Sequence, residues 1–236
     1  MKKILFCLIA ALAFAKSNIN IYTGFNSIQG TFKYKGTQNN IKDIGINNIY
    51  NIGIKVNMDN KSFIPGFFAD ISYFSSFFKN NTLNKNIIID NIAYHIHKNI
   101  TSKLTYANIK LVAYYSFLKT KISYMKLGAG FYGIIGHLKV AENQKYSDIN
   151  FKFYYPSLYV KTLIHPNNFQ FGFETIGTRI FRKDNAYSLN IFGGYKINTL
   201  LFNIGYKHTK MKINNYDSWY SNITTSGVYF EISKSF

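Results

Sequence analysis

The sequence predicts an all-β fold, a transmembrane antiparallel up-and-down β-barrel of ten strands, with eight strands as the alternative. Three features support it: segments in which apolar and polar residues alternate, no later apolar run long enough for a membrane helix, and an export-type start. Near the end of the chain, Val228, Phe230 and Ile232 share one face of an extended segment, and polar residues alternate with them. Lipid offers no partners to unpaired backbone groups, so strands that cross it have to close into a barrel.

Residues 1–15 have the features of a secretory signal peptide. A basic start precedes an uncharged apolar run at residues 4–14, and Ala13 and Ala15 occupy the positions that a signal peptidase reads. The run is shorter than the roughly 20 residues that a membrane helix needs. We therefore expect cleavage after Ala15, which leaves residues 16–236 as the β-barrel domain and removes the only cysteine.

Ten segments have strand-like alternation, and every second link between them is short, as in barrels with tight turns at one end. The predicted strands cover residues 18–34, 44–58, 67–75, 104–117, 122–135, 151–164, 168–180, 186–196, 200–211 and a last segment that ends at Phe236. The short links are 58–64, 118–121, 165–168 and 197–199, and the longer ones are 36–43, 77–103, 136–150, 181–185 and 212–222. Eight strands remain if the first or sixth segment is misread.

If the apolar faces point outward, charged residues point into the barrel. This predicted lumen-facing polar network consists of Lys55, Asp70, Lys110, Lys126, Lys161, Glu174, Lys207 and Glu231. Isolated buried charges are costly, so five lysines and three carboxylates indicate an ion-paired plug. The alternative is a narrow water path with a weak preference for anions. Several aromatic residues are predicted to form girdles at the membrane interfaces: Tyr22, Tyr50, Tyr73, Tyr115, Tyr187, Tyr195, Tyr206 and Trp219.

The chain is strongly basic, with 28 Lys and Arg residues, 10 Asp and Glu residues and a formal charge of +18. No nucleic-acid-binding motif accompanies this charge, so we expect no nucleic-acid partner. The expected partners are outer-membrane lipid and lipopolysaccharide, whose phosphates the loop lysines would contact. The composition, rich in Asn, Ile, Phe and Tyr, is also typical of an AT-rich genome, which would explain much of the lysine content.

A few polar residues are candidates for catalytic or metal sites. His95 and His97 share a face of the long loop, but zinc sites need more ligands. Two histidines at strand ends have hydroxyl and carboxylate residues nearby in sequence: His137 with Ser147 and Asp148, and His208 with Asp217 and Ser218. Such pairs arise by chance in polar loops. The sequence therefore predicts no catalytic, cofactor or metal site, and no enzyme.

The long loop is unusually apolar, with Ile87, Ile88, Ile89 and Ile92 close together. We expect it to extend the flanking strands as a hairpin. The alternative is that it folds over the mouth of the barrel.

Several stretches resemble a family of small Gram-negative outer-membrane β-barrels, the OmpA/OmpW-like porin-type proteins without an established activity. The stretches are residues 64–71 (IPGFFADI), 106–117, 126–136 and 156–161, together with Gly194-Tyr195 and Gly205-Tyr206-Lys207. The resemblance implies the cell outer membrane, with periplasmic chaperones and the barrel-insertion machinery as partners and Phe236 as the assembly signal. The chain departs from this family in its basic charge and in Lys234, which stands where the assembly signal usually has an apolar residue.

The function expected from these features is a structural or passive role for an outer-membrane barrel with a largely occluded polar lumen. One alternative is a narrow pore for small hydrophobic or anionic solutes. Another is a lipid-modifying enzyme at the rim, or an adhesin.

Overall fold

The computed structural model describes residues 16–35, 37–59, 64–76, 79–180, 184–216 and 219–236. The predicted signal peptide, residues 1–15, lies outside this part of the chain. The strands are β1 (Lys16–Tyr34), β2 (Thr37–Asn40), β3 (Asn48–Asp59), β4 (Gly66–Ser76), β5 (Lys79–Thr82), β6 (Ile87–Ile89), β7 (Ile92–Tyr94), β8 (Asn99–Phe117), β9 (Ser123–Glu142), β10 (Lys145–Ile164), β11 (Phe169–Ile180), β12 (Asp184–Ile197), β13 (Leu200–Tyr216) and β14 (Trp219–Ser235). No helix in the described residues is long and apolar enough to cross a membrane.

Within the described residues, ten long strands form the wall of a closed antiparallel barrel. Their order is β1, β3, β4, β8, β9, β10, β11, β12, β13 and β14, and β14 closes the barrel by pairing with β1 from Asn18↔Ser235 to Tyr34↔Trp219. β5 continues the line of β4 in the barrel wall, because both strands pair with β8. Each of the ten barrel strands except the last pairs with the barrel strand that follows it in the chain, since β2, β5, β6 and β7 lie in the connections. The up-and-down topology and the count of ten strands are therefore confirmed, and the alternative of eight strands is wrong.

Several predicted strand ends are wrong: most of these strands run further from the short-turn end than expected, whereas β3 is shorter at its end away from the short turns. The loop expected at residues 136–150 is a continuous hairpin in which only Asn143 and Gln144 separate β9 from β10. The loop expected at residues 212–222 is likewise mostly strand, in β13 and β14. β3 begins at Asn48 rather than at residue 44, since Ile44 and Ile46 belong to a connection packed into the core.

The two faces of the strands exchange polarity partway along the barrel. In β14, Phe230 points outward and is 61% exposed, whereas Glu231 points inward. Nearer the N-terminal end of the same strand, Ile223 is buried inside, while Asn222 and Thr224 lie on the outer face. Polar and apolar residues alternate on both sides of this point, but the inward residues are polar on one side of it and apolar on the other.

An apolar belt surrounds the half of the barrel nearest the short turns, here called the belt half. Its exposed outward residues include Ile21, Phe25, Ile52, Ile54, Ile71, Leu111, Leu127, Phe131, Leu158, Phe171, Phe173, Ile191, Phe202, Ile204, Val228, Phe230 and Ile232. The other half, here called the projecting half, has apolar residues inside instead: Ile28, Phe32, Leu104, Ile134, Leu138, Val140, Ile149, Phe151, Met211, Ile213 and Ile223 are buried there. The belt half thus has the surface of a barrel in lipid, and the projecting half is built like a water-soluble domain.

Strand length supports this division. β9 and β10 have 20 residues each. At about 3.3 Å per residue and a tilt of roughly 45°, each reaches about 45 Å along the barrel axis, whereas the apolar band of outer-membrane barrels is about 25 Å tall. Nearly half of the longest hairpin therefore stands outside the lipid.

Lysine substitutions on the outer face of β14 test where the lipid ends. Phe230→Lys places a charge in the apolar belt, and we expect it to lower the free energy of unfolding in lipid vesicles by about 2–4 kcal/mol. Thr224→Lys, on the same face of the same strand but in the projecting half, is expected to change it by less than about 0.5 kcal/mol. Urea unfolding followed by fluorescence measures both. Equal effects would contradict the position of the belt.

Candidate functional site

The candidate site is the lumen of the belt half. The structure places all eight residues of the predicted polar network there, and none of these residues is more than 9% exposed: Lys55, Asp70, Lys110, Lys126, Lys161, Glu174, Lys207 and Glu231. Strand register brings them together. Asp70 stands directly between Lys55 on β3 and Lys110 on β8, and Lys161 on β10 stands between Lys126 and Glu174.

Four lysines of the lumen are paired with carboxylates. Lys55 Nζ lies 2.7 Å from Glu231 Oε2, and Lys110 Nζ lies 3.1 Å from Asp70 Oδ2. The Lys161–Glu174 pair has a separation of 3.4 Å, and Lys126 Nζ lies 2.7 Å from Asp59 Oδ1. These contacts neutralise most of the charge, as they must where little water reaches the ions.

Neutral groups complete the coordination of the carboxylates. Glu231 accepts hydrogen bonds from the side-chain amides of Asn20, at 2.9 Å, and Asn203, at 3.0 Å. The amide of Asn190 donates to Glu174 at 3.0 Å, and the hydroxyl of Tyr22 donates to Asp70 at 2.7 Å. Each carboxylate thus has a lysine and at least one neutral donor, the arrangement that makes buried ion pairs tolerable.

Lys207 is the lumen lysine without a carboxylate partner among the described residues. Its ammonium group has no hydrogen-bond acceptor there and lies over two aromatic faces, 5.1 Å from the ring centre of Tyr22 and 5.3 Å from that of Phe74. Cation–π attraction is stronger in such a desolvated setting than at a surface. The lumen therefore holds five lysines and four carboxylates, including Asp59, in the part of the chain that the structure describes.

Large rings fill the space between the ion pairs. Tyr22, Tyr114, Tyr159 and Phe68 are almost fully buried, and the rings of Phe68 and Tyr159 stack with centres 5.1 Å apart. A side chain at Gly53 would collide with the Tyr22 ring, so the absence of a Cβ there makes the wall thin enough for the ring. Tyr22, expected in an interfacial girdle, is thus a lumen residue, because its inward register on β1 places it opposite Glu231.

The interior of the projecting half is closed by its apolar core and by the long loop. The loop begins as β5, which prolongs the hairpin as expected, but its tip (β6 and β7) folds over the barrel mouth. The Tyr94 hydroxyl lies 2.7 Å from Ser147 Oγ and 3.1 Å from the backbone oxygen of Val140. Burial raises the pKa of the Tyr94 hydroxyl further above neutral pH.

The tip is also fastened to β2 and to the end of β1. Asn39 donates to the backbone oxygen of Ile88 at 2.8 Å, and Lys35 forms an ion pair with Asp90 at 2.6 Å. This contact holds the pKa of Lys35 above its usual range. Ile87 and Ile89 are buried, which explains the apolar composition of the loop.

The structure does not bring His137 together with Ser147 and Asp148, and it does not describe the partners predicted for His208. His137 contacts Thr105 Oγ1, whereas Asp148 pairs with Lys139 at 3.2 Å and Ser147 points to the opposite face of the sheet. His208 lies 2.8 Å from Ser226 Oγ, and its proposed partners Asp217 and Ser218 lie outside the described residues.

The described part of the chain holds no cluster of three or more His, Cys, Asp or Glu residues that could bind a metal, and His95 and His97 are exposed.

Sequence reasoning missed Asp59, the asparagines and the tyrosines of the network. Asp59 continues the inward period-two series of Lys55 and Asn57, which a strand extended by one residue would have included. Asn190 and Asn203 are likewise inward by alternation, but a neutral amide gives no signal of its own in sequence.

No protein-family model and no curated protein matches the chain. Among solved structures, the outer-membrane protease OmpT of Escherichia coli is similar in fold, with 10% identity, a TM-score of 0.58, and coverage of 93% of this chain and 97% of that chain. The translocator domain of the Neisseria meningitidis autotransporter NalP matches with 9% identity, a TM-score of 0.47, and 97% and 93% coverage. Ail of Yersinia pestis matches with 10% identity, a TM-score of 0.37, and 92% and 99% coverage. The similarity to OmpT and the closed ten-stranded barrel show that the chain has the fold of Gram-negative outer-membrane β-barrels.

A double-mutant cycle tests the Lys55–Glu231 pair. Lys55→Met leaves a buried carboxylate with amide donors only, and Glu231→Gln leaves a buried ammonium group without its counter-charge. We expect each to lower the free energy of unfolding by about 3–5 kcal/mol, and the double variant to lose clearly less than the sum. The exposed pair on the projecting half is the control, where Lys139→Met should cost less than about 1 kcal/mol. Additive losses at Lys55 and Glu231 would show that the two residues do not stabilise each other.

Proposed function

We propose that this protein is a non-conducting outer-membrane barrel with a structural role, which anchors a rigid projecting domain at the cell surface. The observation that carries the proposal is that two different fillings follow one another along the same lumen. An ion-paired, tyrosine-rich layer fills the belt half, and an apolar core capped by the β6–β7 hairpin fills the projecting half.

Neither filling is suited to solute passage. In the belt half four of the five lysines pair with carboxylates at 2.7–3.4 Å, and the fifth, Lys207, lies over the rings of Tyr22 and Phe74. The lysines therefore offer no ring of free charge to a passing anion. In the projecting half, buried apolar side chains would exclude both water and ions. The cavity enclosed by Tyr106, Asn108, Tyr132 and neighbouring residues has a volume of only about 20 Å³.

The outer face of the projecting half is polar and basic. Lys33, Lys139, Lys152 and Lys210 lie on it beyond the apolar belt. At this height they would meet the phosphates of lipopolysaccharide, which we propose as the lipid partner. This would add lateral attachment to the vertical anchoring by the belt.

Assembly is proposed to follow the usual route for such barrels, with residues 1–15 as the export signal, periplasmic chaperones, and recognition of Phe236 by the barrel-insertion machinery. The Phe236 ring is exposed, and its backbone N–H donates to the oxygen of Ser17 at 2.9 Å. Its side chain therefore stays accessible although its backbone is fixed to β1.

Planar-bilayer recording of the refolded protein tests the proposed closure. We expect no discrete conductance steps from protein that circular dichroism and heat-dependent gel migration show to be folded, whereas an open porin prepared in the same way conducts. Lys126→Glu, which reverses a lumen charge, should also be silent. Discrete steps whose ion selectivity shifts in Lys126→Glu would show a pore instead.

A further inference from the structure

A large cavity opens at the short-turn end of the barrel, below the ion-paired layer. Its volume is about 970 Å³, near the upper end of the roughly 300–1,000 Å³ typical of small-molecule sites. Tyr114, Tyr124, Lys126 and Leu163 form its roof, and the turns between strands form its walls. We call this cavity the vestibule.

The vestibule has a surplus of positive charge. Lys119, Lys121, Lys126 and Lys196 line it, and Asp59 is the carboxylate among its described lining residues. Asp59 is already engaged, since it accepts hydrogen bonds from Lys126 at 2.7 Å and Tyr114 at 2.6 Å. Three lysines are thus left without a carboxylate within 4 Å in the described chain. A cleft lined by charge of one sign concentrates counter-ions of the other.

Backbone hydrogen bonds hold the wall of the vestibule in place. The turn after β8 joins the turn after β10, because the N–H of His165 donates to the oxygen of Ile122 at 2.7 Å. The turn after β10 is also joined to the last residues of β12, since the N–H of Lys196 donates to the oxygen of Asn168 at 2.8 Å. Because the backbone is fixed before a ligand arrives, little entropy is lost on binding there.

The other lining groups indicate what kind of anion fits. Asn18, Asn167 and Asn168 bring carboxamides, which both donate and accept hydrogen bonds as a peptide group does. The side-chain oxygen of Asn18 is buried and has no partner among the described residues. The cations are lysines, which act as point charges and attract carboxylates and phosphates alike, so the carboxamides are what favours an anion that also carries peptide groups. Tyr124 and Leu163 add apolar surface near the roof.

We propose that the vestibule binds a short acidic peptide with two or more carboxylates, presented from the periplasmic side. The side follows from the short turns, which are periplasmic in barrels of this type. The lysines on the rim would pair with the carboxylates, and the asparagines would pair with the peptide groups. Binding lies below the closed layer and does not require that the lumen conduct or be closed.

Fluorescence anisotropy of fluorescein-labelled triglutamate, with the protein in lipid nanodiscs, tests this proposal. We expect saturable binding that weakens as salt is raised and is displaced by unlabelled triglutamate. Triglutamine and pyrophosphate should displace the probe at least tenfold less well. The triple variant Lys119→Gln, Lys121→Gln, Lys196→Gln should bind at least tenfold more weakly.

The matched control removes three lysines from the outer face of the projecting half: Lys33→Gln, Lys152→Gln, Lys210→Gln. It should keep the affinity of the unmodified protein, because these lysines lie far from the vestibule. If net charge alone governed binding, the two variants would lose affinity equally. An equal loss in the two variants, no saturable binding, or displacement by pyrophosphate as good as by triglutamate would each overturn the proposal. None of these outcomes concerns conductance, so failure here leaves the proposed closure intact.

Discussion

A charged side chain inside a lipid-surrounded barrel has to find its stabilising partner, usually a counter-charge, within the barrel. This constraint determines the register of the strands and the filling of the lumen. It requires that carboxylates from β4, β11 and β14 face lysines from β8, β10 and β3, which holds only in the observed register. A slip of one residue in any of these strands would turn a charged side chain toward lipid and an apolar one into the lumen. The ion pairs therefore specify the register as well as fill the space.

The exchange of polarity along the strands follows from the surroundings of each half. Where lipid lies outside, apolar residues face out, and the interior takes the polar residues. Where water lies outside, the preference reverses, and the interior becomes a hydrophobic core that needs a cover at its open end. The β6–β7 hairpin provides this cover with Ile87, Ile89 and Tyr94. The long loop is thus a structural part of the projecting half.

Period-two alternation in the sequence was sufficient to predict the fold class and the ten barrel strands. It failed at the strand ends because alternation says that two faces differ, not which face is inside. Leu138, Val140 and Ile149 fall in a predicted loop for this reason, although their spacing is that of a strand. The charged lumen residues could be picked out because a charge on a membrane strand has only one acceptable side. Their neutral partners, Tyr22 and Asn190 among them, could not, since tyrosine and asparagine are acceptable in several environments.

Thiol labelling along β14 is the most direct measurement of whether the lumen is closed. Single cysteines would replace the inward residues Ser221 and Thr225 and the outward residues Asn222 and Thr224 in protein reconstituted in vesicles. With a membrane-impermeant maleimide, we expect fast reaction at both outward positions and protection at both inward ones. A water-filled lumen would make all four react at similar rates, which would contradict a closed barrel.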